Sequence, residues 1–389
     1  MSFILALQGK GKKMSATNEV RSAGANGRLL SLDALRGFDM IWIMGLATVV
    51  RLAAGYLPDG PGGWIASQMR HAPWGGFTFY DLIFPLFLFM AGVSFPFSYA
   101  SQVRKGATSA KIHLRLFKRM TLLVLLSMVH CGALQFDPEK YRYLSVLQRI
   151  GITGFLASLA YVHLKPKFRV ALAVALLVGY WALLTFCPSP LAPDGAGPYV
   201  AHGNIVDWLD GFLSPRAWFG HDPFEVRDVP LSVFQVPLAL FGMFAGDIVR
   251  SERLSPAGRS ARLAVVGAIL LGVGIALVLS GCDIVKNITT PSFMLVSGGL
   301  CMLLFALFHW VIDVKGFVAW SFPLRVVGMN ALVAYLIQPI VPIGSIARFF
   351  FGGVASLTGC PDLVLAAGYC LICWLVLLFL HRHRVYVKV

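Results

Sequence analysis

Charged side chains are scarce in this sequence of 389 residues. Asp, Glu, Lys and Arg make up 13% of it, whereas 57% of the residues are hydrophobic, and the mean hydropathy is +0.74. In soluble globular domains, about a quarter of the residues are charged. The scarcity therefore excludes an ordinary soluble protein and predicts a multi-pass membrane protein.

Acidic residues are the scarcer of the two charge types. The chain has 18 Asp and Glu against 33 Lys and Arg, which gives a net charge of +15. Such a charge alone would also be compatible with binding to nucleic acid. The basic residues, however, cluster in alternate loops between apolar segments instead of forming one patch, and this excludes a nucleic-acid partner.

Motifs for nucleotide-phosphate or metal chemistry are also missing. The sequence contains no P-loop, no dinucleotide fingerprint and no zinc-spaced cluster. Of its seven cysteines, Cys370 and Cys373 fall inside an apolar run. Small buried side chains are expected there, and no redox or metal role is predicted.

Long apolar runs, in contrast, are abundant. A helix needs about 17–25 residues to cross the hydrocarbon core. Ten segments approach this length: 37–55, 81–100, 120–136, 144–163, 169–187, 230–249, 263–281, 291–312, 325–344 and 363–381. The sequence therefore predicts an all-α bundle of about ten transmembrane helices.

The distribution of charge predicts the orientation of this bundle. Basic residues are concentrated near 10–28, 104–119, 165–169, 250–262, 315–325 and 382–388. By the positive-inside rule these segments are cytoplasmic, together with both termini. We predict a cytoplasmic arm over 1–35, a transmembrane domain over 36–389 and an external loop over 188–229. The early apolar run SFILALQ precedes the basic cluster, so no cleaved signal peptide is predicted.

One external segment leads into a helix that carries a carboxylate. The stretch MRHAPWGGFTFYDLIFPLFLFMAGVSF places His71 at the helix mouth and Asp81 just inside it. Ionisable groups within the membrane are costly and often functional. A carboxylate at this position can equally cap the free N–H groups of the helix. Both interpretations of Asp81 stay open, and they are compatible.

Polar residues also occupy other helix mouths. A single such residue is usually a cap or a snorkelling side chain, whereas a set spread over several helices indicates a polar path through the bundle. The set comprises Asp33, Arg36, Gln148, Arg149, Lys286, Asn287 and Asn330. In loop 188–229, aromatic rings beside carboxylates suit a sugar, although interfacial anchoring explains any single ring equally well.

These stretches resemble a known family, the heparan-α-glucosaminide N-acetyltransferases. The resemblance is carried, in family order, by SLDALRG, HAPWGGFTFYDLIFPLFLFMAGVS, LQRIG, KN followed by SF, VIDVKG and GMNALVAY. It implies transfer of an acetyl group from cytoplasmic acetyl-CoA to the amino group of a terminal glucosamine on the external side. It also implies a bacterial homologue in the inner membrane, because the large luminal domain of the animal enzyme is missing.

The resemblance assigns residues as well. The catalytic histidine of the family falls on His71 and its helix-entry aspartate on Asp81. The Lys-Asn pair falls on Lys286 and Asn287, and the Gly-Met-Asn element on residues 328–330. The family's aspartate–proline element is matched only in part, by HDPFEVRD with Asp222.

The chemistry of the predicted reaction assigns further roles. An imidazole such as that of His71 can remove the proton of an amine near neutral pH, or it can carry the acetyl group itself. Asp81 would orient this ring if Pro73, Gly75 and Gly76 let the loop fold back. We predict acceptor binding by Trp74, Gln148, Arg149, Lys286, Asn287 and Asn330. For acetyl-CoA, whose phosphates require cations, we predict Asp33, Arg36, Lys118, Arg119 and Arg325.

Other functions are compatible with part of this pattern. A transporter or flippase for a sugar or lipid-linked glycan would also need a polar path. A reactive histidine outside and cations inside favour the enzyme. A purely structural protein would carry such a polar set at a cost and ranks last. The predicted partners are acetyl-CoA, an amino-sugar acceptor and membrane lipids, and the sequence leaves a homodimer open.

Overall fold

The fold is built from helices. The computed structural model describes residues 29–135, 146–193, 197–201, 203–213 and 228–387, and no β-strand occurs in these ranges. The α-helices are α1 Leu30–Ile41, α2 Ala47–Ala54, α3 Pro61–Gln68, α4 Ile83–Arg104, α5 Ser109–His130, α6 Val146–His163, α7 Pro166–Phe186, α8 Ile205–Leu213, α9 Asp228–Phe234, α10 Val236–Arg250, α11 Pro256–Leu279, α12 Pro291–Phe308, α13 Phe322–Gly328, α14 Ala331–Ile340, α15 Ile343–Ser356 and α16 Pro361–Arg382.

Seven helical segments in the described residues are long and apolar enough to cross a membrane. They are Leu30–Ala54, Phe79–Arg104, Pro166–Phe186, Leu231–Arg250, Pro256–Leu279, Pro291–Val314 and Pro361–Arg382. Each corresponds to one of the ten predicted spans. The chain is therefore a multi-pass membrane protein with an all-α fold, whereas the predicted count of ten is not confirmed.

The other three predicted spans have a different character. Segments 120–136 and 144–163 correspond to α5 and α6, whose polar side chains, such as Arg119 and Arg149, lower their mean hydropathy. Segment 325–344 is broken: α13 and α14 meet at an angle of 56°. A helix break inside a membrane leaves backbone groups to be satisfied by neighbouring protein.

The broken segment packs unusually closely against α1. A Cβ atom added to Gly37 would lie 1.7 Å from the carbonyl oxygen of Leu324, and one added to Gly328 would lie 1.8 Å from that of Asp33. Only glycine permits two helix backbones to approach so closely. The glycines of LRG and GMN thus fasten α13 to α1, a packing role that the motifs alone do not reveal.

Contacts near the ends of the helices show which loops lie at the same end of the bundle. At one end, which we call the basic end, His113 contacts His163 with 2.8 Å between their Nε2 atoms, and Arg169 Nη1 lies 3.1 Å from Asp247 Oδ2. At the opposite end, which we call the site end, Trp74 Nε1 donates to the carbonyl of Tyr199 at 2.7 Å. Gly75 forms an isolated bridge with Val285 there. The predicted grouping of the loops agrees with this division.

We predict that the basic end faces the cytoplasm. Lys and Arg are concentrated in the loops of that end, and such loops are retained on the cytoplasmic side. Single cysteines introduced at Asp59, near the site end, and at Lys105, at the basic end, are expected to react with an impermeant maleimide only at position 59 in intact cells. Labelling only at position 105 would reverse the orientation.

Candidate active site

The segment before α4 folds back over the mouth of that helix. Gly76 adopts a φ of +104°, a conformation that side chains with a Cβ rarely accept. Its N–H donates to the carbonyl of Ile284 at 2.9 Å. The turn thereby ties residues 70–78 to the loop between α11 and α12, and it returns His71 to the side of Asp81.

Asp81 is fully buried at the centre of this turn. Its Oδ2 accepts from the backbone N–H of Ala72 at 3.2 Å and of Thr78 at 3.1 Å. The Thr78 hydroxyl lies 2.9 Å from the same oxygen. Its Oδ1 is 2.8 Å from His71 Nδ1 and 3.4 Å from Lys286 Nζ. So many donors around one carboxyl group favour its ionised form.

This geometry determines the tautomer of His71. An ionised carboxylate only accepts hydrogen bonds, so the nitrogen facing Asp81, Nδ1, must carry a hydrogen. In the neutral ring Nε2 then has the free electron pair. The His71 side chain is 50% exposed, whereas that of Asp81 is completely buried. The basic nitrogen is therefore on the accessible side of the ring, where a substrate can approach it.

Lys286 supplies a cation beside this pair. It lies in the loop between α11 and α12, and its ammonium group contacts Asp81 Oδ1. Burial lowers the pKa of Lys286 from its ordinary value to about 8, an effect that the charge of Asp81 opposes and that of Arg149 reinforces. Near neutral pH the amine is still protonated, so it helps to keep Asp81 ionised.

Several residues predicted to bind the acceptor are near this centre. Trp74 is held by its bond to Tyr199. Arg149 lies over the ring of Phe84 at 5.9 Å, and its charge acts on Lys286. Gln148 is buried, and its Oε1 has no hydrogen-bond partner within the described residues. Asn287 is half-buried in the turn that follows Lys286.

Three residues in or near the site were not predicted from the sequence. Thr78 forms a capping box with Asp81 at the start of the helix, which a T-x-x-D spacing signals in principle. Tyr80 packs against His71 with ring centroids 4.7 Å apart. Gln235, between α9 and α10, donates to Thr289 at 3.0 Å, and nothing in the local sequence points to it.

Cations predicted to bind acetyl-CoA gather near the basic end. Arg36 Nη1 is 3.3 Å from Asp33 Oδ1, and its other terminal nitrogen bonds to Ser94. The charge of Arg36 acts on Arg119, and that of Asp33 acts on Arg325.

Two of these cations keep an unused donor. The Nε–H groups of Arg119 and Arg325 are buried, and the described residues offer them no hydrogen-bond partner. Asp313 is another carboxyl group of this region, and it interacts with Asp33. Lys118 is exposed, and since adjacent helical residues point about 100° apart, it lies on a different face from Arg119.

Asn330 lies apart from His71. It is fully buried between α13 and α14, where its side-chain amide donates to the carbonyl of Val385 at 3.0 Å and its Oδ1 accepts from the N–H of Val387 at 3.2 Å. The structure thus joins Asn330 to the C-terminal segment and does not bring it together with the other residues predicted to bind the acceptor.

Some predicted features fall outside the described residues. These are the N-terminal arm up to residue 28 and, within loop 188–229, Asp194 and the HDPFEVRD element with Asp222. Of the acids in loop 188–229 that are described, Asp207 is buried and its Oδ2 accepts from Asn204 Nδ2 at 2.6 Å. This acid therefore belongs to the cap of α8.

Comparison with known proteins finds similarity to one family of acetyltransferases. The model of the catalytic region of heparan-alpha-glucosaminide N-acetyltransferase matches residues 28–209. The protein of that name from Homo sapiens is 24% identical over an alignment covering 79% of this chain and 52% of the relative. The protein from Mus musculus is 25% identical, with 82% and 54% covered. The chain spans about half the length of these curated relatives.

Proposed function

We propose that this chain, which is similar to heparan-alpha-glucosaminide N-acetyltransferase, is a membrane acetyltransferase. It transfers the acetyl group of acetyl-CoA, taken from the cytoplasm, to the amino group of a glucosamine-type sugar on the other side of the membrane. A bacterial inner membrane remains the predicted location.

The observation that carries this proposal is the contact between His71 and Asp81. A buried carboxylate 2.8 Å from Nδ1 leaves Nε2 accessible as a base, which is what attack by an amine requires. A transporter needs polar groups along a path but has no need of an imidazole held in one tautomer. Lys286 and Arg149 place positive charge beside the pair, where the carbonyl oxygen of a thioester becomes negative during attack.

The reaction can be written with its atoms balanced. The acceptor nitrogen forms a bond to the thioester carbonyl carbon, and its proton passes to Nε2 of His71. The carbon–sulfur bond breaks, and the CoA sulfur leaves and takes up that proton. In the covalent alternative, Nε2 first takes the acetyl group from sulfur and then yields it to the amine.

The position of the cations fits the phosphates of acetyl-CoA. Arg119 and Arg325 each have a buried N–H that the described residues leave unpaired, and phosphate oxygens are strong acceptors for such donors. Ser94, the partner of Arg36, and Asp81 are separated by 13 positions of one helical segment, about 20 Å at 1.5 Å per residue. A long flexible arm between phosphates and thioester would bridge that distance.

We expect Arg119→Gln and Arg325→Gln each to weaken acetyl-CoA binding about tenfold or more, because hydrogen bonds to charged groups contribute roughly 1.5–3 kcal/mol. Calorimetry on purified protein in detergent would measure the affinity. S-acetylpantetheine, which lacks the nucleotide phosphates, should lose no affinity in these variants.

The matched control is Lys167→Gln, which removes an exposed basic group from the same end. It should leave the affinity for both compounds unchanged. Equal losses with acetyl-CoA and with S-acetylpantetheine would contradict an assignment to the phosphates.

The direct test of the proposed function is formation of an amide product. Purified protein in lipid nanodiscs is incubated with acetyl-CoA labelled in the acetyl group and with methyl β-glucosaminide. Labelled N-acetyl product together with free CoA is the expected result. Transport of the glucosaminide into liposomes, with no acetylation, would instead support the transporter.

A further inference from the structure

A large apolar groove lies on the lipid-facing side of the bundle. It encloses about 580 Å³ between α7 and α11, and α10 and α12 form its floor. Val178 on α7 and Val273 on α11 line its two rims, and both are about half exposed. Phe241 and Met302 belong to the floor and are almost completely buried. The groove therefore reaches from the surface to the core.

The shape and lining of the groove fit an alkyl chain. Every lining side chain is apolar, so a polar group inside would lose its hydrogen bonds to water without replacement. The lining extends along α11 from Val266 to Leu277, about 16 Å at 1.5 Å per residue. The groove thus runs along the spanning helices, in the direction that a lipid chain takes in a bilayer.

One end of the groove adjoins the candidate active site. Pro291, which lines the groove, begins α12 directly after the loop that carries Lys286. Tyr180 on α7 donates to the carbonyl of Ile288 in the same loop. Residues 282–290 thus connect Pro291, at one end of the groove, with Lys286, whose ammonium group contacts Asp81.

Tyr199 makes a second connection between the groove and the candidate active site. Its carbonyl accepts the hydrogen bond from Trp74, within the folded-back turn that carries His71. Its side chain interacts with Thr185 near the end of α7 and with Cys282. Tyr199 therefore joins the turn that carries His71 to the end of α7, one of the two helices that border the groove.

We propose that the acceptor is a glycolipid, whose alkyl chain lies in this groove while its amino sugar reaches His71. This inference rests on the proposed function and specifies its substrate class. The apolar chain supplies binding energy in the groove, and the polar head group is held at the point where the groove meets the site.

The test uses two acceptors that differ only in the aglycone. Methyl β-glucosaminide and octadecyl β-glucosaminide are compared as acetyl acceptors with full-length protein in nanodiscs. Val178→Trp and Val273→Trp fill the groove from opposite rims. Each is expected to lower kcat/KM for the octadecyl compound at least tenfold, and to change it less than twofold for the methyl compound.

Val265→Trp is the matched control. Val265 is exposed on α11 to a similar degree but does not line the groove, so this variant should leave both acceptors unaffected. If the groove variants change octadecyl acetylation no more than Val265→Trp does, the groove holds bulk lipid only and the inference is wrong, although the proposed function stands. If the wild-type protein acetylates neither compound, the proposed function itself fails.

Discussion

His71→Ala is expected to reduce acetyl transfer to a glucosaminide by about 10²–10⁴-fold, the range that general base catalysis usually contributes. In the proposed mechanism, the imidazole acts on the amine or on the acetyl group, whereas the cations near the basic end bind acetyl-CoA. Binding of acetyl-CoA should therefore stay at the wild-type level. Both quantities are measured on the same purified protein, the first as labelled N-acetyl product and the second by calorimetry.

His113→Ala is the matched control for this variant. His113 belongs to the basic end, where its ring stacks on that of His163, and its loss should leave acetyl transfer unchanged. If His71→Ala keeps wild-type turnover on the glucosaminide, the assignment of His71 as the catalytic residue is wrong.

The same experiment distinguishes the two chemical routes. When acceptor is withheld, an acetyl group trapped on His71 of the wild-type protein, and detected by rapid-quench mass spectrometry, would favour the covalent carrier. Absence of a trapped group, together with a loss of 10²–10⁴-fold in the variant, would favour proton removal. In either case Nε2 is the reacting atom, because Nδ1 is occupied by Asp81.

Local sequence patterns predicted the contact between His71 and Asp81. Pro73 and two glycines within residues 70–78 predicted that this segment turns back. The structure confirms the expected result, because His71 lies beside Asp81. For Asp81, both interpretations left open by the sequence describe real contacts. It caps the helix start through Thr78, and it contacts the imidazole. One carboxylate can do both because its two oxygens face different partners.

Contacts between segments that are far apart in the sequence could not be predicted from local patterns. The packing of Gly328 against the backbone of Asp33 joins residues almost 300 positions apart, and no local pattern encodes it. Asn330 shares a motif with Gly328, yet its bonds to Val385 and Val387 direct it to the C-terminal segment. Residues of one sequence motif can thus have different roles. Only the three-dimensional structure shows whether each of them lies at the candidate site or packs against another part of the protein.

The predicted number of spans is not confirmed, for a related reason. A hydropathy average evaluates each segment as if it faced lipid alone. The helix α6, however, packs between other helices, and Gln148 and Arg149 are therefore tolerated at its start. The segment 325–344 is largely apolar in composition, but it bends by 56° between α13 and α14. Such a bend depends on neighbours that satisfy the backbone, and composition does not contain that information.

Asp81→Asn is expected to be the second most damaging change, with a loss of turnover of about 10³-fold. In serine proteases the corresponding aspartate-to-asparagine change costs about 10⁴-fold, because the histidine adopts the wrong tautomer. Here the Oδ2 side faces the N–H groups of Ala72 and Thr78, so the amide of asparagine keeps its oxygen on that side. Its NH₂ group then points at His71, which must accept with Nδ1 and place its hydrogen on Nε2.

This prediction has a readout that a loss of folding would not imitate. The ¹⁵N chemical shifts of His71 should show hydrogen on Nδ1 in the wild-type protein and on Nε2 in Asp81→Asn, while acetyl-CoA affinity stays constant in both. Asp362→Asn, which changes an exposed acid at the start of α16, is the matched control and should alter neither tautomer nor turnover. If Asp81→Asn lost activity with the tautomer of His71 unchanged, Asp81 would act by capping the helix, and orientation of the imidazole would have to come from another group.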